Sequence, residues 1–437
     1  VNTIADIGHI DEVEATRSDS LLATCHLKVV NALTREMIVV LCFRIRPAGC
    51  GMRISDFKTR KLRDPTPTIS QGSCAVIILT KIMALDFSHY GGPSEEWLAV
   101  EKLLPATPLI DTTMNPAVLR NTANAGRVVE KAPLMKELAP LVKMTDYVIP
   151  TRDGSAIEAR TYRPVTKNET EKLPVYIFHH GGGFLFGNLD IGNEECARVA
   201  VNTGVVVLNV NYRHTPEHTF PTAWNDSQDA FVWLHASIAA VGGDPTKVLV
   251  GGTSAGGQLA ASLALEKHLG NSEVLKGLPD LAGQILLIPC LANSYTYAQG
   301  PGKLLKRSSY EENGFAPLLS KPTIDFFMSL LKMPTLDLKD TKVNMVNATV
   351  DELRGLPPTV IGIAGMDPLR DEALLYAKSL AEANVPTEIR LFKGVPHGYR
   401  LFAQLKASKD WDECVNEGIL WALERPKPTG KFHVKLP

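Results

Sequence analysis

Three side chains and a run of glycines in this sequence have the types and spacing needed for acyl transfer. Ser254 stands in Gly252-Thr253-Ser254-Ala255-Gly256, between the apolar run KVLVG (247–251) and the alanine-rich stretch AGGQLAASLALEKHL (255–269). Read as strand, sharp turn and helix, this G-x-S-x-G puts a hydroxyl at the head of a helix whose N-terminal amides favour developing negative charge. The glycines have a steric reason, because side chains at the flanking positions would collide with the neighbouring strand and helix. Two rival uses of such glycines fail on residue identity. A phosphate-binding loop needs lysine and then Ser or Thr after its last glycine, and Gly257-Gln258 stands there. A dinucleotide fingerprint needs a G-x-G-x-x-G spacing that is absent here.

A serine needs a base, and the base needs an orienting acid. Of the later histidines, His268 lies in the helix after Ser254 and His433 lies in a tail, whereas His397, in KGVPHGYRLF, follows a strand in a turn flanked by Pro396 and Gly398. Asp367 falls just past the strand TVIGIAG, and Asp371 with Glu372 reads more simply as helix-start charge favoured by the dipole. The order Ser254, Asp367, His397 therefore runs nucleophile, acid, histidine. Upstream, His180-Gly181-Gly182-Gly183-Phe184 follows the strand VYIF. Three glycines in a loop allow amide groups to point together, and the expected oxyanion donors are the N–H groups of Gly182, Gly183 and Ala255. His180 and Gly181 are expected to brace that loop. HTPEH (214–218) fits a zinc-binding H-x-x-E-H, but Pro216 inside it and Pro221 after it break the helix such ligation requires, so no metal is expected.

The elements that must position these residues are legible as alternation. DYVIPTRDGSAIEARTYRP reads as two strands joined at Asp153-Gly154. The apolar runs VYIF, VVVLNV, KVLVG, GQILLI, TVIGIAG and TEIRLF follow, mostly separated by helical stretches, which implies a largely parallel sheet covered on both faces. Residues 292–350 interrupt this rhythm as a candidate cap. Residues 1–82 hold four of the seven cysteines and show no sustained period, so an extension without packed order is expected there. A net charge of -1 offers no electrostatic case for nucleic acid or an anionic membrane. The longest apolar runs, MIVVLCF and CAVIIL, are too short to span a bilayer. Seven cysteines without CxxC pairs, and an opening VNTIADIGHIDEVEATR without signal-peptide order, point to a cytoplasmic protein.

Taken together, HHGGGF, NYRHTPEHTFPTAWND, GTSAGGQLA, DPLRDEALLYAKSLAEANVP and PHGY resemble the hormone-sensitive-lipase-type esterases, the H-G-G-G branch of the α/β-hydrolase fold. The likeness covers roughly residues 90 to 425. It implies a carboxylesterase acting on short- to medium-chain acyl esters without cofactor, with a small-molecule ester as its partner. It also implies a catalytic domain over 145–425, N-terminal cap helices over 83–144 joined by the 292–350 insertion, and a tail over 426–437. Around Tyr212, Arg213 and Glu217 the second motif is expected to be structural. Some fungal members act on acetylated secondary metabolites. Two other readings stay open: an acyltransferase using the same acyl-enzyme, and a non-catalytic small-molecule receptor on the same fold.

Overall fold

A computed structural model describes residues 38–44, 74–80, 84–104, 110–297, 299–334 and 337–437. The chain divides into two compact units, Val1–Met83 and Ala84–Pro437. In the first, β1 (Ile38–Arg44) and β2 (Cys74–Thr80) pair antiparallel, with Ile38 opposite Thr80 and Arg44 opposite Cys74. These strands are the two apolar runs noted above, rich in the β-branched residues that suit a pleated ladder. Of the extension expected over 1–82, these two strands are the described part, and the rest of that expectation lies outside the described residues.

The second unit opens with helices α1 (Glu95–Glu101) and α2 (Pro116–Leu138) and a hairpin, β3 (Val142–Pro150) and β4 (Ala156–Pro164). Then come β5 (Leu173–His179), α3 (Leu189–Thr203), β6 (Val206–Asn211), α4 (Thr222–Ala236), β7 (Gly243–Thr253), α5 (Ala255–Leu269) and β8 (Gly283–Leu287). The insertion holds short helices α6 (Ser294–Tyr297) and α7 (Ser309–Glu312), the longer α8 (Lys321–Leu330) and α9 (Val350–Leu353). The chain closes with β9 (Thr359–Ala364), α10 (Arg370–Glu382), β10 (Thr387–Phe392), α11 (Lys406–Leu423) and β11 (Val434–Lys435).

Nine strands form one sheet in the order β11-β10-β9-β8-β7-β5-β6-β4-β3. Both pairings of β4, with β3 and with β6, are antiparallel, and the pairings from β6 to β11 are parallel. Parallel strands covered on both faces are mainly apolar, which is why β6, β8 and β9 read as near-continuous runs rather than alternating ones, with Asn209 and Gln284 as buried polar members. One face packs Val175, Ile177, Val248 and Val250 against Phe231, Leu259 and Leu263 of α4 and α5. The other packs Tyr176, Phe178, Leu249 and Ile285 against Cys196 and Ala200 of α3 and Trp411 and Cys414 of α11. Helix α5 is buried at every residue from Ala255 to Glu266, and its composition is accordingly mostly apolar and small, with Gln258, Ser262 and Glu266 the polar members. The tail is not free of the sheet: Ile389 pairs with Val434, and Lys435 Nζ lies 3.0 Å from Glu388.

Strand order decides where a site can form. From β5 the chain steps to β6 on one side and then crosses to β7 on the other, so the crevice at the carboxyl ends of β5 and β7 is a topological switch point. The glycine loop leaves β5 there and Ser254 leaves β7.

The insertion is tied to the start of α10 through buried charge. Arg370, 0% exposed, donates to Asp371 Oδ1 at 2.7 Å, to Glu312 Oε2 at 2.9 Å and to the Gly365 carbonyl at 3.1 Å. Asp371 Oδ2 accepts the Ser309 amide at 2.7 Å, and Asn313 donates to the Asp367 carbonyl at 3.1 Å. Asp371 and Glu372 stand in the first turn of α10, as the helix-start reading expects, and both are interior groups. Removing one partner strands the other charge in the interior. Arg370→Met is expected to lower unfolding free energy by about 3–5 kcal/mol, read as a fall in the urea midpoint at unchanged slope.

Candidate active site

The turn after β7 is built by exclusion of side chains. A Cβ on Gly252 would stand 2.4 Å from the His179 carbonyl oxygen, and one on Gly256 would stand 2.0 Å from the same atom. Between them Ser254 adopts φ 57, ψ -116, a conformation that costs a non-glycine residue about 1–3 kcal/mol and that the surroundings must impose. Its amide donates to the Leu287 carbonyl at 2.8 Å, and its carbonyl accepts from Gln258 at 3.0 Å. The hydroxyl is left projecting at the head of α5.

His397 reaches this hydroxyl from the loop after β10, and Asp367 comes from the loop after β9. His397 Nε2 lies 2.9 Å from Ser254 Oγ, and His397 Nδ1 lies 2.6 Å from Asp367 Oδ2. With Nδ1–H donating to the carboxylate, Nε2 carries the lone pair that accepts the serine proton. Asp367, 1% exposed, also accepts the Leu369 amide at 2.8 Å, which fixes its rotamer. The three residues singled out in the sequence are therefore brought into one hydrogen-bonded chain.

The glycine loop lies beside them. His179 at the end of β5 is level with Gly252 of β7, and a Cβ on Gly181 would stand 3.0 Å from the Thr253 carbonyl. Gly182 (φ 132) and Gly183 (φ 61) occupy backbone regions that favour glycine. Their extra atoms would meet the Phe186 carbonyl at 2.3 Å and the Phe327 ring at 2.3 Å. Among the described residues none accepts the amides of Gly182, Gly183 or Ala255, and all three residues line the cavity that Ser254 and His397 face. His180 Nδ1 donates to the Gly181 carbonyl at 3.0 Å, and its ring stacks on Tyr212 at 4.4 Å. Burial pushes this imidazole down to about 4, so it is neutral at pH 7. Tyr212 Oη donates to the His180 carbonyl at 2.8 Å, while Arg213 pairs with Asp226 and Arg120 of α2 with Glu217. The HTPEH segment holds no helix, and His214 stacks 5.3 Å from His180.

The cavity has a volume of about 230 Å³ and mostly apolar walls. Ile110 and Arg127 line it from the N-terminal side, and Leu318, Ile324 and Phe327 from the insertion. Helix α1 packs against the segments flanking the His397 loop: Ser94 donates to the Gly394 carbonyl at 3.1 Å and Trp97 meets Phe402 edge-on. Two carboxyls lie near the site that the sequence did not place there. Glu195 lines the cavity, and Glu372 lies behind Asp367, accepting the Leu291 amide at 2.6 Å and facing the Tyr310 hydroxyl at 3.2 Å. No local signal marks either as buried, beyond the density of charge in DPLRDEALLY.

A family model described as the α/β-hydrolase fold matches residues 176–401. The chain belongs to this family, in its hormone-sensitive-lipase-type branch. This hydrolase is an enzyme of the serine-hydrolase kind. It is 33% identical over 307 residues to carboxylesterase NlhH of Mycobacterium tuberculosis, covering 68% of this chain and 89% of that protein. It is 32% identical over 276 residues to the versiconal hemiacetal acetate esterase of Dothistroma septosporum, covering 63% and 80%. Among solved structures, bacterial heroin esterase matches with a TM-score of 0.64 and 29% identity over 76% of this chain and 98% of that one. Vibralactone cyclase matches with a TM-score of 0.69 and 26% identity over 79% and 99%.

Burial raises the Glu372 carboxyl to about 8, against 4.5 for a free glutamate. The folded state therefore holds a proton that the unfolded chain releases, a contribution full below about pH 4.5 and lost as pH rises towards 8. Glu372→Gln, which keeps an acceptor for Leu291 and carries no titrating proton, should gain stability relative to the parent between pH 5 and 8.5. Urea midpoints of the two proteins across that window measure the difference.

Proposed function

We propose that this hydrolase cleaves short- to medium-chain acyl esters through an acyl-enzyme on Ser254. His397 takes the serine proton as the oxygen attacks the ester carbonyl, and Asp367 holds the imidazole tautomer and offsets its charge. The amides of Gly182, Gly183 and Ala255 receive the oxyanion, each such donor being worth roughly 10²–10³ in rate. The alcohol departs with the proton from His397, and water then enters by the same route to release the acid. The observation that carries this reading is the contact chain of 2.9 Å and 2.6 Å from Ser254 through His397 to Asp367, open to a mainly apolar cavity. That His397 stands in reach of the hydroxyl favours catalysis over a receptor role.

The names of the relatives support ester cleavage, and that of the versiconal hemiacetal acetate esterase supports an acetylated metabolite as substrate. A cytoplasmic setting is part of the proposal, in keeping with the buried free thiols of Cys196, Cys290 and Cys414. Acyl transfer to an alcohol is a second reading, favoured by the likeness to a protein named a cyclase; product analysis with competing alcohols separates it from hydrolysis. Ser254→Ala should lower kcat on p-nitrophenyl butyrate on the order of 10⁴- to 10⁶-fold with the fold retained. An alkyl fluorophosphonate should label the parent on Ser254, and label recovered on any other residue contradicts the assignment.

A further inference from the structure

Two adjacent glutamates on α3 are treated in opposite ways. Glu194 is surrounded by cations: Lys131 of α2 lies 3.3 Å from Oε2, Arg400 lies 3.4 Å from Oε1, and Arg198 pairs with the same oxygen. Glu195 makes an ion pair with none of them. Its Oε1 is sealed from solvent without a hydrogen-bond partner, and no described residue donates to Oε2. Its side chain lines the cavity that holds Ser254 and His397, beside Phe178 and one turn beyond Ile191. A carboxyl oxygen kept from water without a donor is costly, even on a half-buried side chain, and such groups gather where a ligand completes them.

The neighbours of the carboxyl narrow the ligand. Arg400, in the turn after His397, and Lys131 on α2 lie near enough to favour its charged form, while Glu194 and Asp412 of α11 oppose it. Tyr176 of β5 and Cys196 of α3 also feel its charge. Arg127 and Lys131 already bring positive charge to the cavity wall, so a neutral donor suits the carboxyl better than a further cation. We propose that Glu195 is a specificity-determining residue, whose carboxyl accepts a hydrogen bond from a hydroxyl carried by the ester substrate. This rests on the esterase reading and deepens it: the preferred substrates are hydroxylated esters rather than plain alkyl ones. Glu195 takes no part in bond cleavage.

The test compares pairs in which a hydroxyl replaces a methyl group. Methyl 6-hydroxyhexanoate against methyl heptanoate places it on the acyl side, and 4-hydroxybutyl acetate against pentyl acetate places it on the alcohol side. In the parent enzyme one pair should show a kcat/KM ratio favouring the hydroxylated ester by about tenfold, carried mainly by KM. Glu195→Leu should bring that ratio to about one, and Glu195→Gln should keep most of it. The parent ratio should rise from pH 6 to 8, because burial holds the carboxyl at about 7 and the ionised form is the stronger acceptor. The ratio of Glu195→Gln should be flat, and this profile decides the matter if the leucine variant fails to fold. Ratios near one for both pairs in an active parent, or a parent-like ratio in Glu195→Leu, overturn the role of Glu195 and leave the esterase reading standing. An intact parent that cleaves none of the four esters overturns both.

Discussion

Everything in the second unit is arranged around one steric fact: the carboxyl end of β7, the carboxyl end of β5 and the first turn of α5 approach so closely that no side chain fits between them. Gly252 and Gly256 both abut the His179 carbonyl, and Ser254 is held between them in a backbone conformation it would not adopt alone. The sheet must supply the force for this, and it does so by burying both faces of β5, β7 and β8 under helices. The rigidity of the apolar core is thus converted into the position of a single hydroxyl.

Around that point the polar groups are graded by burial. The loop between β5 and α3 is pinned at several places: Tyr212 holds the His180 carbonyl, and Asn124 of α2 bonds the Gly187 amide and carbonyl. The loop carrying Asp367 is held from the insertion by Asn313 and by the Arg370 cluster, in which one buried guanidinium bridges Asp371 and the half-buried Glu312. Glu194 gathers α2, α3 and the turn after His397 on one carboxylate, held ionised by the surrounding cations. Contacts of this kind act as a unit, so single removals are not expected to add.

The parts legible in the sequence were those with a local physical signature. Continuous apolar runs told of strands covered on both faces, and Gly-Thr-Ser-Ala-Gly at a strand-to-helix junction told of a strained turn. His397 and Asp367 were placed by position alone, each just beyond a strand, and the structure brings both to Ser254. What escaped is set by distant contacts. Asp371 and Glu372 carry the residue types of an exposed helix start, and only the insertion packed against them makes them interior. Glu195 follows Glu194 in a polar-looking helix, and nothing nearby marks one as paired and the other as facing the cavity. Strand β11 pairs over only two residues, Val434 and Lys435, too few to leave a pattern. The strands β1 and β2 were visible as apolar runs, but their pairing joins segments about thirty residues apart in an otherwise featureless region.

Part of the cavity wall comes from stretches of chain that add no strand to the sheet: Ile110 and Arg127 from before β3, and Leu318, Ile324 and Phe327 from between β8 and β9. That part of the wall is therefore separable from the framework that aims the hydroxyl. Exchanging residues in the former recuts the chamber while the latter goes on folding as before, which gives such a scaffold room to acquire new preferences one wall at a time.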